Sequence, residues 1–300
     1  MVCRVIAVDA SDVEMAETNS PSGRRSSVAP EGLLSPEQVK RGLKALEQKI
    51  AEANPAPTLF DVVQTMGMRC HKSIIAQQEA AAAAMLGDPE WGPKIKAIQH
   101  AEVKGGMRQQ ALLTDVADVL RKKCHAPDYS KRVDTDVLTK FLCSLAESAL
   151  PGFQGALHDV GAGVSGTVEL KVAPVKDAGR CGVKVEEYRE EKGEENWPHS
   201  QFLTDVLRAS LIVETAEDMV KVWRSLEKCS AFDVVRLKNK IGECKAPFNL
   251  HVNVVYKAAH CEDPIVCEVQ IYVRGVYEMQ HRQHVAYEVC RATDIGQLLS

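Results

Sequence analysis

No Cys-x-x-Cys pair occurs in this chain, although it has ten cysteines, at positions 3, 70, 124, 143, 181, 229, 244, 261, 267 and 290. That scatter argues against a zinc site or a redox pair and favours buried free thiols, with Cys261 and Cys267 flanking Asp263-Pro264 as the one close pair. In the first half no histidine pair shows metal-ligand spacing: His71, His100 and His125 stand singly there. They read as surface or locally bonded residues. No apolar run is long enough to span a bilayer, and Met1–Ala10 carries Arg4 and Asp9 without a secretory hydrophobic core. A soluble, cytoplasmic protein without a membrane partner is the expectation. A strong charge of either sign is also absent. The net charge of −4 gives no global attraction to nucleic acid and leaves only local basic clusters.

What is present is a long apolar fraction, 45% of 300 residues, sufficient for a full core or for two modest domains. Residues 1–34 mix Ser, Gly, Pro and charge and read as a disordered tail. Within it, Arg24-Arg25-Ser26-Ser27 matches a basic-x-Ser kinase pattern at Ser27, against which stands a simple solvated tail. Residues 35–160 read as a helical region. Ser35-Pro36-Glu37-Gln38 caps a first helix that ends at Asn54-Pro55, and a second runs from Thr58-Leu59-Phe60-Asp61 to Gly87-Asp88-Pro89. Pro93–Lys123 is helical in pattern, with a break at Gly105-Gly106, and Thr135–Leu150 is a further helix ending at Pro151-Gly152.

From residue 161 the period changes. The glycines of Gly161–Gly166 precede a strand and not a helix, so they read as a linker and not as a phosphate loop. Strands are predicted at Thr167–Val172, Asp205–Val213, Asp233–Ile241, Phe248–Tyr256 and Ile265–Val273, and helices at Asp177–Glu191, Thr215–Lys228 and Arg274–Arg291. The fold class is α+β: a helical first half followed by residues 161–300 as a mixed five-stranded sheet with flanking helices. The last three strands are antiparallel neighbours. In Ile265–Val273, Cys267, Val269, Ile271 and Val273 alternate with Glu268, Gln270 and Tyr272, which places a carboxylate on the polar face of a rigid strand.

Three groups of side chains suit phosphate chemistry. Lys176, Arg180 and Lys184 recur every four residues, and Arg236, Lys238 and Lys240 alternate along a strand. Asp205 heads the second strand and Glu268 lies in the fifth. Two carboxylates with cations suit a magnesium nucleotide, because the ion takes oxygen ligands and the phosphates need neutralising charge. Each group taken alone also fits a solvated strand or helix face.

The element order from Thr167 to Leu299, the Asp at the head of the second strand, and Glu268-Val269-Gln270-Ile271 followed by a helix with His284 and Tyr287 resemble the RelA/SpoT-type (p)ppGpp synthetase domain. The resemblance covers roughly the last 140 residues and implies a nucleotidyltransferase-like fold that transfers pyrophosphate from ATP to the 3′-hydroxyl of a guanosine nucleotide, or to the 3′ end of tRNA. It implies Asp205 and Glu268 as magnesium ligands and catalytic carboxylates, and Lys176, Arg180 and Lys184 on the ATP phosphates. Lys238 or Lys240 would hold the acceptor nucleotide, with Gln270 and His284 as further site residues. The chain departs from the family pattern in having Arg208 and Ser210 where Gly and Arg are usual, Tyr272-Val273 in place of Arg-Thr, and Pro247-Phe248 in place of the acceptor-binding Gly-Tyr. Phe248 retains an aromatic face for stacking on a base but no hydroxyl. Two readings stay open: a transferase with altered acceptor choice, or a catalytically degenerate module that binds a nucleotide or a protein.

Overall fold

The computed structural model describes residues 58–112, 127–257 and 263–293, with the isolated positions 41, 44, 119 and 122. The predicted tail at residues 1–34 lies outside the described residues, as does most of the predicted first helix. Two compact units result, one of residues 1–71 with 284–300 and one of residues 72–283.

Helix α1 covers Leu59–Gly87, as the sequence predicts, and Thr58 and Asp61 cap it reciprocally. In the first unit its Gly67 faces Val289 of the last helix so closely that a Cβ would sit 2.6 Å from a valine methyl. The Gln64 amide donates to the carbonyls of Cys290 and Ala292.

In the second unit the described part of the segment predicted as helical over Pro93–Lys123, residues 93–112, departs from a continuous helix, while the described positions Val119 and Lys122 are helical. The departing part holds a short helix α2 (Trp91–Lys96), a two-residue strand β1 (Ala101–Glu102) and a 3-10 turn (Gln110–Leu112). Gly105, at φ 78°, and Gly106, where a Cβ would meet Val235 at 2.9 Å, turn the chain back across the sheet. The buried Gln109 amide then donates to the carbonyls of Leu203 and Val266 and accepts from the Val266 N–H. These tertiary bonds override the local helical pattern.

A short α3 (Pro127–Arg132) leads through a π-helical turn (Val133–Leu138) into α4 (Thr139–Ala162). The predicted stop at Pro151 is corrected: α4 runs through the proline. The missing N–H costs the helix one bond, and the buried Phe153, Leu157 and Val160 beyond it hold the continuation against the sheet. Then follow β2 (Val168–Val172), α5 (Ala178–Lys192) capped by Asp177, 3-10 turns at Glu194–Asn196 and His199–Phe202, β3 (Arg208–Val213), α6 (Ala216–Lys228) capped by Thr215, β4 (Phe232–Asn239), β5 (Leu250–Tyr256), β6 (Ile265–Val273) and α7 (Arg274–Arg291).

The strands form one mixed sheet in the order β1-β4-β5-β6-β3-β2, parallel between β3 and β6 and antiparallel elsewhere. It has six strands and not the five predicted, because β1 pairs with β4 from inside the stretch read as helical. One face is apolar. Leu211, Val213, Val252, Val254, Val269 and Ile271 join one core with Leu142, Phe153 and Leu157 of α4 and Met219, Val222 and Leu226 of α6. Phe153, Phe232 and Tyr256 pack edge to face or tilted there, with centroids 5.6–5.9 Å apart.

Asp134, fully buried in the π-helical turn, fixes the chain that leads to the site. Its carboxylate accepts from the backbone N–H groups of His199 (2.6 Å) and Ser200 (3.0 Å), capping the His199–Phe202 turn. Asp134→Ala leaves two buried donors without partners. It is expected to lower the unfolding free energy by about 2–5 kcal/mol, read from the denaturant midpoint.

Candidate functional site

The opposite face of the sheet is polar. Register pairs Arg236 of β4 with Asn253 of β5, Asn253 with Glu268 of β6, and Glu268 with Arg208 of β3. One residue pair along, Lys238, His251, Gln270, Ser210 and Lys171 form the next row. Directly opposed residues point to the same side of a sheet, so both rows share one surface.

Asp205 lies just ahead of β3, and not within it as predicted. The backbone beside it is pinned between two other site residues, since the Val206 carbonyl accepts from Lys176 N and the Leu207 carbonyl from Glu268 N. Lys176 precedes α5 and is anchored there too, where its carbonyl accepts from the Cys143 thiol at 3.3 Å. Lys176 Nζ and Lys184 Nζ both reach Asp205 Oδ2, at 2.6 and 2.8 Å, and the Lys176 and Asp205 side chains are each only 14% exposed. Burial pushes the Asp205 carboxyl up, but the two ammonium groups outweigh it and hold it below its ordinary range. Burial likewise pulls Lys184 down, and Asp205 more than restores it. Asp205 Oδ1 is buried and has no hydrogen-bond partner.

Glu268 is buried on the same polar surface. His251 Nε2 lies 3.1 Å from its Oε2, and the Gln270 amide donates to its Oε1. Gln270 in turn accepts from the Tyr272 hydroxyl at 2.6 Å, so the alternation predicted for Glu268, Gln270 and Tyr272 holds. Burial raises the Glu268 carboxyl, His251 lowers it, Asp205 raises it and Gln270 lowers it, with a net position below the ordinary value. The two carboxylates are thus close enough to sense each other's charge.

On the β2 and β3 side of Glu268 is a cavity of about 300 Å³ lined by Lys171, Arg208, Ser210, Gln270 and Tyr277 among others, with Lys171 Nζ 4.8 Å from the Tyr277 ring centre. On the β4 side, Arg236 donates twice to Asn253 Oδ1. Lys240, just past β4, is pushed down by burial, drawn up by Glu268 and pushed down again by Lys238 and Arg236.

Three predicted residues are placed elsewhere. Arg180 shares a helix with Lys184, but its side chain is 79% exposed and its guanidinium lies 4.0 Å from Asp177, because α5 begins at Ala178 and Asp177 caps it. Phe248 is 1% exposed and fully packed in the core, so its ring offers no face to a base. His284 belongs to the other unit, where it is 69% exposed and 3.8 Å from Glu288. Conversely, His251 and Asn253 were not singled out in the sequence. The alternation Asn249, His251, Asn253 between Leu250, Val252 and Val254 carries the signal for them.

Among the described residues no group of three or more His, Cys, Asp or Glu could hold a metal ion, and no helix is long and apolar enough to cross a membrane.

The depressed carboxyls set a pH dependence. A group whose folded pKa lies below its unfolded value stabilises the fold fully above the unfolded value and loses that contribution as pH falls through the folded one. Asp205 and Glu268, with ordinary values of 3.8 and 4.5, therefore contribute fully at neutral pH and progressively less below pH about 4.5. Thermal midpoints measured from pH 7 to pH 3 should fall, and the fall should be shallower in Asp205→Asn.

No protein-family model and no curated protein matches the sequence. Similar solved structures include the small alarmone synthetase 1 from Bacillus subtilis bound to its product pppGpp, at 16% identity over 51% of this chain and 88% of that one, with a TM-score of 0.37. The small alarmone synthetase 2 from Bacillus subtilis is similar at 15% identity over 52% and 92%, with a TM-score of 0.36. A GTP pyrophosphokinase family protein from Streptococcus pneumoniae is similar at 16% identity over 51% and 85%, with a TM-score of 0.33. At these scores the similarity assigns no residue a role, and the site stands on its own geometry.

Proposed function

We propose that the chain is a divergent RelA/SpoT-like pyrophosphotransferase, which moves pyrophosphate from ATP to the 3′-hydroxyl of a nucleotide, free or at an RNA end. The observation that carries the reading is Asp205: a carboxylate with two lysines on one oxygen and a buried second oxygen without a hydrogen bond, with a second buried carboxylate on the adjoining strand. An unpartnered, buried oxygen of this kind fits a hard cation. Asp205 Oδ1 and Glu268 would hold a magnesium ion, with water and phosphate oxygens completing its shell. The ion would neutralise charge on the phosphates.

The chain's own groups fit the remaining tasks. Lys176 and Lys184 bind the polyphosphate of ATP, and Arg236, Lys238 and Lys240 bind the phosphates of the acceptor. The acceptor 3′-oxygen attacks the β-phosphorus, the bond from that phosphorus to the oxygen bridging it to the α-phosphorus breaks, and AMP leaves. Glu268 is ionised at neutral pH and takes the hydroxyl proton, with Gln270 donating to one of its oxygens and His251 3.1 Å from the other. The cavity lined by Lys171, Arg208 and Tyr277 offers cations and an aromatic face to the donor nucleotide.

A catalytically degenerate binding module is the second reading, and the burial of Phe248 favours it, since the aromatic face that would hold the acceptor base is closed. Incubation with Mg-ATP and guanine nucleotides or tRNA separates the two. The transferase releases AMP, and Glu268→Gln lowers that release by about 100-fold or more while shifting the thermal midpoint by only a few degrees. If wild type and Glu268→Gln both bind ATP and neither releases AMP, the module reading replaces the transferase.

A further inference from the structure

The C-terminal half of α5 and the turn after it carry a second cluster that shares only Lys184 with the carboxylate site and lies outside the donor cavity. The rings of Tyr188 and Phe202 meet edge to face, with centroids 5.9 Å apart at 63°. Lys192 Nζ stands 5.0 Å from the Phe202 centroid and 5.8 Å from that of Tyr188, Lys184 Nζ is 5.7 Å from Tyr188, and Arg108 Cζ is 5.6 Å from Phe202. Both rings are half-buried and Arg108 is exposed. The guanidinium of Arg108 forms no ion pair with a described residue, and the partner of Lys192, Glu191, is itself 65% exposed, so that pair is weak.

The position of this cluster matters as much as its composition. Lys184 belongs both to it and to the Asp205 site. The cluster therefore adjoins the carboxylate site. It is also rigidly built: Tyr188 rides on a helix, and Phe202 closes a turn that Asp134 caps from inside the protein. Aromatic faces edged by several cations are the combination that holds unpaired nucleobases and their phosphates, because every base has a stacking face and every phosphate a charge to neutralise. An acidic peptide would use the cations but leave the two rings without a flat partner.

We infer that Tyr188 and Phe202, with Arg108 and Lys192 at their edges, form a stacking ledge for the base of an unpaired nucleotide, next to the Asp205 site with which it shares Lys184. The inference deepens the pyrophosphotransferase reading by giving the acceptor a base-holding surface where Phe248 gives none. It rests on that reading only for the word acceptor, since binding at the ledge needs neither ATP nor metal.

The test uses the full chain in EDTA without ATP, with a fluorescein-labelled single-stranded RNA octamer read by anisotropy and unlabelled GTP as competitor. Tyr188→Leu is expected to weaken octamer binding by roughly 5- to 100-fold, as for loss of one base-aromatic stack, while Tyr188→Phe stays within about twofold. Arg108→Ala and Lys192→Ala are expected to weaken binding and flatten its salt dependence. Competition by GTP at the concentration at which the octamer itself binds identifies a free nucleotide as the occupant; an octamer that binds far more tightly than GTP identifies a strand end. Failure of wild type to bind either probe at millimolar concentration overturns the ledge, and so does unchanged binding by Tyr188→Leu with an unchanged circular-dichroism melt. Binding that persists in a protein that releases no AMP keeps the ledge and removes the transferase, so the two claims fail separately.

Discussion

Burial pushes the Asp205 carboxyl up, and Lys176 and Lys184, which both reach its Oδ2, hold it below its ordinary range. Removing the Asp205 carboxylate leaves both ammonium groups without their anion, a loss that for a buried pair typically costs about 3–5 kcal/mol, whereas removing one lysine leaves the other in place. The triad therefore fixes more than itself. It ties the segment before α5 to the segment before β3, and the backbone bonds from Lys176 N and Glu268 N to the carbonyls of Val206 and Leu207 continue the tie into β6. Three stretches far apart in sequence meet within a few residues of one carboxylate.

The rest of the polar surface follows from sheet register. Because opposed residues share a face, an Arg at 236, an Asn at 253, a Glu at 268 and an Arg at 208 must line up once β4, β5, β6 and β3 pair as they do. A slip of one residue in β6 would turn Glu268 and Gln270 into the core and Val269 out of it. The apolar residues against α4 and α6 resist that slip, so the core face holds the register of the polar face.

That division explains which features could be read in the sequence. Strand and helix positions from residue 168 onward were legible within a few residues, since period-two alternation and the caps at Asp177 and Thr215 are local signals. The helix expected over residues 93–112 and the stop expected at Pro151 were wrong for one common reason. Long-range contacts decide both, the Gln109 bonds to residues 203 and 266 in one case and the buried Phe153, Leu157 and Val160 in the other. Of the residues named from the sequence, Lys176, Lys184 and Asp205 come together and Glu268 lies on the same polar surface, whereas Arg180 and Phe248 lie apart from them because their orientation depends on a helix start and on core packing. His251 was visible only as a polar residue in an alternating strand. Its 3.1 Å approach to Glu268 is a product of strand pairing, which no single segment encodes.

The two oxygens of Asp205 are not equivalent, and the difference bears on how a nucleotide would enter. Oδ2 carries two ammonium groups and Oδ1 carries no hydrogen bond. Lysine is a compact charge on a flexible stem, so each ammonium can exchange one anionic partner for another at little steric cost. Under the proposed function, an incoming polyphosphate competes with Asp205 for both lysines, and a cation bound at Oδ1 offsets the charge they leave behind. The carboxylate thus stays compensated at each stage, first by lysine and then by the ion that arrives with the phosphates. Glu268 undergoes no such exchange, because Gln270, which donates to its Oε1, and His251, 3.1 Å from its Oε2, belong to its own sheet and stay in register while the neighbouring charges rearrange.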